Sequence, residues 1–147
     1  MLLLLPPSET KRDGGADLPL AFESLGFPSL TPTRSSVVDE TVAMTASPDA
    51  AARALKLGPK HAAVEVERNR VLRSASTMPA LLRYTGVLYD ALDAESLTAE
   101  QWRFAAESVA VQSALLGLVG AADPIPAYRL SFDSRLSPSL KKRWSAV

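Results

Sequence analysis

Cysteine is absent from the 147 residues, and histidine occurs once, at His61. That removes a disulfide framework, thiolate metal sites, a cysteine nucleophile and zinc sites built from several imidazoles. Any Ser-His triad would have to use His61 itself. Aromatic residues make up 6% of the chain, so large core anchors are few, while 11 prolines interrupt it often. No apolar run approaches the ~18 residues of a membrane span. Residues 1–5 are apolar but lack a basic lead, and Pro6-Pro7 ends the run short of a secretory h-region, so a cytoplasmic location is expected. No metal-ligand cluster or cofactor fingerprint stands out, and none is expected. What is present, 47% hydrophobic and 22% charged residues, is the make-up of an ordinary globular chain near the size of one domain.

Net charge is zero, with 16 basic and 16 acidic groups. The total hides four blocks: residues 1–52 sum to −4, 53–83 to +5, 84–123 to −5 and 124–147 to +4. Folding is able to place the two basic blocks on one face, which would make a positive field despite the neutral total.

Residues 1–5 suit a strand buried on both faces at the centre of a sheet. Residues 6–33 are rich in Pro, Gly, Ser and Thr and predict a long irregular loop around Leu18, Leu20, Phe22, Leu25 and Phe27. Val37, Val38, Thr41, Val42 and Thr45 share one face of a helix. Ser47-Pro48 marks the start of a second helix, and Gly58-Pro59 its end and the start of a third, with the glycine as a left-handed cap. Thr77 is expected to cap a short helix containing Leu81 and Leu82, and residues 84–92 are ambiguous. Thr98-Ala99-Glu100-Gln101 fits a capping box. Residues 109–119 form an apolar run compatible with a second buried strand. The expected fold class is mixed α/β (α+β), with central strands and several helices.

Three stretches carry candidate chemistry. The first, Ser8-Glu9-Thr10-Lys11-Arg12, follows the presumed central strand, where ligands collect in open α/β sheets. It lacks a phosphate-loop pattern, and the plainer reading is a solvated turn. The second, Lys56-Leu57-Gly58-Pro59-Lys60-His61, joins two helices with lysines on both shoulders and is similar to a helix-hairpin-helix, whose turn amides grip a phosphate. Arg68, Arg70 and Arg73 would extend its field, although it has one glycine where the usual hairpin has two. The third pairs residues 84–89, including Gly86 and Tyr89, with Tyr128-Arg129-Leu130; Arg129 is suited to clamp a phosphate or carboxylate, and buried tyrosines in a core are the ordinary alternative. His61 reads as a solvated helix residue with no identifiable partner.

Taken in order, Leu4-Leu5-Pro6-Pro7-Ser8-Glu9-Thr10-Lys11, the Gly86 to Tyr89 segment, Ser113-Ala114-Leu115-Leu116-Gly117, and Asp123 through Ala127-Tyr128-Arg129-Leu130 resemble the YaaA family of bacterial peroxide-stress proteins, in its actinobacterial branch. The resemblance implies a family-specific mixed α/β fold, DNA binding through a helix-hairpin-helix placed at residues 57–61, and a positively charged cleft. It also implies limitation of oxidative DNA damage, associated with lowered free iron. Pro7, Thr10, Gly86, Tyr89, Gly117, Tyr128, Arg129 and Arg135 match family motif positions. Many members have lysine where this chain has Glu9, with Lys11 on the other side of the threonine. Members also continue past residue 147, so a single YaaA-like domain incomplete at its C-terminus is expected.

Two functions follow as expectations. The first is a DNA-binding protein of the oxidative-stress response, selective for DNA structure rather than sequence, with Lys56, Gly58, Lys60, Arg68, Arg70 and Arg73 on phosphates. The alternative is an enzyme on a nucleotide or nucleobase, with a pocket made by Ser8, Thr10, Lys11, Tyr89, Tyr128 and Arg129. It requires the N-terminal loop and the Tyr-Arg box to converge in space. A chain with no independent activity is the third, plainest possibility.

Overall fold

The computed structural model describes residues 1–147. Its elements in chain order are β1 (Leu3–Leu5), α1 (Thr31–Met44), α2 (Pro48–Ala54), α3 (Pro59–Arg70), β2 (Met78–Pro79), α4 (Ala80–Arg83), α5 (Val87–Leu92), α6 (Ala99–Ser108), β3 (Val109–Ser113), β4 (Gly117–Gly120), β5 (Pro124–Ile125) and α7 (Leu140–Trp144). The mixed α/β class holds.

One sheet has the order β1-β3-β4, and β2 and β5 form a separate antiparallel pair. β1 runs parallel to β3, with Leu3 opposite Val109 and Leu5 opposite Val111. β3 turns through residues 114–116 and returns as β4, so the apolar run 109–119 is a hairpin and not one strand. Gly117 makes that return with φ +72, and a Cβ there would lie 2.8 Å from the Trp144 ring. Both facts select glycine.

The strand at residues 3–5 is present, but its expected central position is corrected. Ala110 and Val111 of β3 are fully buried and hold the centre, while Leu2, Leu3 and Leu4 at the sheet edge are 50%, 52% and 55% exposed. An apolar run says that a strand wants cover on both faces; it does not say which neighbour supplies it. Beside this edge lies an open apolar groove of about 750 Å³ lined by Leu3, Leu5, Leu88, Leu92 and Phe104 among others.

The helices follow the periodicity more closely. α1 buries Val37, Val38 and Thr41, and adds Arg34 on the same face. Thr98 caps α6 through the Gln101 amide while Gln101 reaches back to the Thr98 amide, completing the capping box. Ser47 occupies the N-cap position of α2 without a side-chain hydrogen bond. Thr77 does not cap α4: its hydroxyl donates to the Leu18 carbonyl at 2.8 Å, and α4 starts after Pro79.

The long loop is held by buried arginines more than by aromatics. Arg34 donates to the carbonyls of Leu116 (2.8 Å), Gly26 (2.8 Å) and Leu118 (2.5 Å). Arg83 does the same for Ile125 (3.1 Å), Arg12 (2.6 Å) and Ser76 (3.0 Å). Neither has a carboxylate partner, so each guanidinium serves as a multi-donor staple between loop carbonyls and those of the short strands β4 and β5. The core around them gathers Leu55, Leu72, Leu115, Leu116, Ile125 and Leu140. No helix is long and apolar enough to cross a membrane.

Candidate functional site

The segment after β1 is pinned to residues 83–85. Lys11 bridges Tyr84 in antiparallel fashion, Arg12 donates its amide to the Arg83 carbonyl at 2.8 Å, and the Thr85 amide donates to the Thr10 carbonyl at 3.1 Å. Gly86, with φ +110, lets the chain pass close by: a Cβ there would lie 3.2 Å from the Ser8 hydroxyl. The Ser8 and Thr10 hydroxyls are 3.3 Å apart.

α2 and α3 pack together across a short turn. The left-handed residue of that turn is Lys56, with φ +56, and Gly58 is extended as the N-cap of α3, contrary to the expected glycine cap. Gly58 faces open space, with nothing within 4 Å of a Cβ placed on it.

Arg129 is delivered by a residue that the sequence reading passed over. Asn69, fully buried on α3, donates to the Arg129 carbonyl at 2.7 Å and accepts from its amide at 2.8 Å. The available signal was an amide three residues after Val66 and three before Leu72, on a face otherwise apolar. Arg129 then reaches Glu9 at 3.3 Å.

These three pieces meet. Glu9, Thr10 and Lys11, the turn residues Lys56, Gly58 and His61, Glu65 and Arg68 of α3, and Arg129 line one cleft of about 340 Å³. The N-terminal loop and the Tyr-Arg segment therefore converge, and the α2–α3 turn converges with them. Three cations, Lys56, Arg68 and Arg129, and the Lys11 amine share the cleft with two carboxylates, Glu9 and Glu65.

Other named residues lie elsewhere. Tyr89 stacks on Tyr84 at 5.4 Å, donates its hydroxyl to the Pro6 carbonyl at 2.6 Å, and faces a separate cavity with Arg12 and Asp90. Tyr128 is buried behind the cleft, where its hydroxyl contacts those of Tyr84 (2.6 Å) and Ser113 (2.9 Å). Burial raises its pKa to about 12 and holds that of Tyr84 well above the ordinary value, so neither is an acid or base at neutral pH. Lys60 is exposed outside the cleft. Arg70 pairs with Glu67 at 2.6 Å, and Arg73 pairs with Asp39. Lys56 pairs with Asp133 at 2.9 Å, and Arg68 with Asp13 (2.5 Å) and Glu65 (3.2 Å). The +5 block is thus largely matched by carboxylates, several from distant blocks. Arg135 is exposed, and its amide ties the C-terminal segment to the Ala54 carbonyl at 2.9 Å.

Lys11 is the unusual member. It is 8% exposed and has no carboxylate within ion-pair distance. Its Nζ donates to the carbonyls of Ser8 (2.8 Å) and Glu9 (3.0 Å) and lies 4.2 Å from the centre of the Tyr128 ring. Burial, followed by the field of Arg129, lowers its pKa to about 7.

The fold is a mixed α/β chain in which three distant segments line one small cleft. The family described as "Peroxide stress protein YaaA" matches residues 1–147, and the chain belongs to that family. It is 49% identical to the UPF0246 protein CE1889 of Corynebacterium efficiens over 153 residues, covering 100% of this chain and 60% of that protein. It is 45% identical to the UPF0246 protein Cgl1995/cg2186 of Corynebacterium glutamicum, over 98% of this chain and 58% of the relative. To the UPF0246 protein SCO2297 of Streptomyces coelicolor it is 44% identical, over 92% of this chain and 52% of the relative. The chain thus spans little more than half the length of these actinobacterial relatives.

Proposed function

We propose that the cleft binds the phosphate backbone of DNA and that the chain serves the peroxide-stress response by limiting oxidative damage to that DNA. One observation carries this reading: the hairpin turn, the N-terminal loop and Arg129 line a single cleft in which cations outnumber carboxylates. Lys56 and Arg129 are the phosphate contacts, and the N-terminal turn of α3 contributes its positive dipole end through Gly58 and His61. Lys60, exposed outside the cleft, adds only to the general field. Arg68, held by two carboxylates, positions the wall, and Arg70 and Arg73 add only a general field. No side chain of base-reading type is presented in a row, so recognition is of backbone and shape rather than sequence.

The test is fluorescence anisotropy of a labelled duplex at about 50 and about 200 mM salt. Binding should weaken with salt, and Arg129→Gln should lower the slope of log K against log salt by about 1. No binding at the lower salt, or no salt slope, overturns the reading.

A second reading, an enzyme on a nucleotide or nucleobase, is favoured by the convergence of Thr10, Lys11 and Arg129 in that cleft. It predicts saturable binding of a free nucleoside monophosphate. Duplex binding without nucleotide binding decides for the first.

A further inference from the structure

Lys11 stands on the wall of the cleft with a tetrahedral nitrogen whose bonds are nearly all accounted for. One position is Cε, and two N–H bonds go to the Ser8 and Glu9 carbonyls. The remaining position carries a proton in the ammonium and a lone pair in the amine. Losing that proton breaks neither hydrogen bond, so the site tolerates the neutral form.

The charged groups around Nζ come from every packed element. Glu9 lies on its own loop, Glu65 and Arg68 on α3, and Arg129 on the Tyr-Arg segment, while the Tyr84 and Tyr128 rings lie 5.5 and 4.2 Å away. Burial outweighs the two carboxylates. An ordinary lysine at neutral pH is a free amine in only roughly 3 molecules per 10,000. With its pKa lowered to about 7, Lys11 is a free amine in a large fraction of molecules.

Two further facts bear on what such an amine would meet. Lys56 and Arg129 line the same cleft as Lys11, so a ligand with phosphates would be held there. Among the products of DNA damage, the sugar that has lost its base is one whose open form is an aldehyde, the functional group with which an amine reacts. Aldehydes and lysine amines form imines.

We propose that Lys11 is an amine nucleophile that captures phosphate-bearing sugar aldehydes, specifically the ring-opened C1′ aldehyde of a base-less deoxyribose in DNA. The substrate class rests on the reading of the cleft as a DNA site. In the step, the Nζ lone pair attacks the aldehyde carbon and a carbinolamine forms. Its hydroxyl leaves with the proton from nitrogen as one water, and a C=N bond remains. No oxidant or reductant is consumed.

The experiment incubates the 147-residue chain with a labelled duplex carrying one abasic site in the presence of cyanoborohydride, which reduces an imine to a stable amine. A covalent protein–DNA band is expected, with peptide mapping placing the modification on Lys11. Its rate should rise as the pH passes through about 7 and then level off. Lys11→Arg, which keeps a cation without a free amine, should lower the yield at least about tenfold. Lys11→Met should do the same if the arginine does not fold, and Lys141→Ala, outside the cleft, should leave the yield unchanged. Modification spread over other lysines, or a band that persists in the Lys11 variants, overturns the proposal. So does the absence of a band when the intact duplex binds. If the duplex does not bind at all, 2-deoxyribose 5-phosphate replaces it. Selective labelling of Lys11 then supports the nucleophile while the DNA reading fails, and no labelling sinks the nucleophile as well.

Discussion

Replacing Lys11 with methionine should remove most of the chain's pH dependence of stability between neutrality and pH 9.5. The side chain is 8% exposed and its pKa falls from 10.5 to about 7 on folding, chiefly through burial. Between those two values the unfolded chain holds a proton on Lys11 that the folded chain does not, so stability rises with pH across that window. Its contribution is complete above the unfolded value and is lost as the pH falls through about 7. Each unit is worth at most about 1.4 kcal/mol, which gives about 3 kcal/mol between pH 7 and 9.5. That is a rise of roughly 6–12 °C in Tm for a chain of this size. Tyr84, Tyr89 and Tyr128, all raised by burial from 10.0, act only at the top of the window, where together they take back roughly half a kcal/mol. Methionine matches the lysine stem in volume and can pack on Tyr84 and Tyr128. The Lys11→Met variant should therefore be nearly flat across the window, with a constant offset from the lost hydrogen bonds to the Ser8 and Glu9 carbonyls. Thermal melts followed by circular dichroism at half-unit steps provide the readout. Parallel curves for the two proteins would refute the argument, because the rise would then belong to other groups.

Two stability predictions stand apart from the cleft. Arg34→Met leaves the carbonyls of Gly26, Leu116 and Leu118 without a donor, and should cost about 2–4 kcal/mol in urea unfolding, with the mutant retaining its helix content at low denaturant. Gly117→Ala adds a Cβ 2.8 Å from the Trp144 ring at φ +72 and should cost about 1–3 kcal/mol, with the Trp144 fluorescence shifted as the ring is displaced.

The longer helices were legible because a helix advertises itself locally, whereas α5 lies in the ambiguous stretch 84–92 and α7 carried no expectation. α1 shows its buried face in Val37, Val38 and Thr41, and α6 shows its start in Thr98 and Gln101. β1 was legible as a strand but not as an edge, since edge or centre depends on what pairs with its other side. Residues 109–119 hid a hairpin because both arms are apolar and the turn, residues 114–116, is buried as well. Arg34 and Arg83 were not legible as core. A charged residue is assigned to the surface unless one can see the ring of carbonyls that a loop-rich fold leaves in need of donors. The motifs that carried the family resemblance gave Lys11 and Arg129 directly, whereas Asn69, which delivers Arg129, lies in no motif and works only through a contact 60 residues away.

The charge blocks illustrate the same limit from the other direction. Their alternation anticipated contacts between distant parts of the chain, yet those contacts are mostly ion pairs, as in Arg73 with Asp39 and Lys56 with Asp133. Pairing of this kind does not disqualify a cation from binding DNA. The Lys56 and Asp133 side chains are 48% and 67% exposed, and exposed pairs contribute little because water competes for both partners. A DNA phosphate, carrying its own charge and losing its condensed counterions, can take the place of such a carboxylate at small cost. Arg68 differs, since it and Glu65 are each only 16% exposed and Asp13 holds it from a second side. Separating that cluster would leave a charge unpaired at a poorly hydrated position. If the cleft binds phosphate as proposed, Lys56 is the cation most easily released, and Arg129, itself 20% exposed, follows because its single partner Glu9 is 65% exposed. The +5 total of the block overstates what a polyanion would meet.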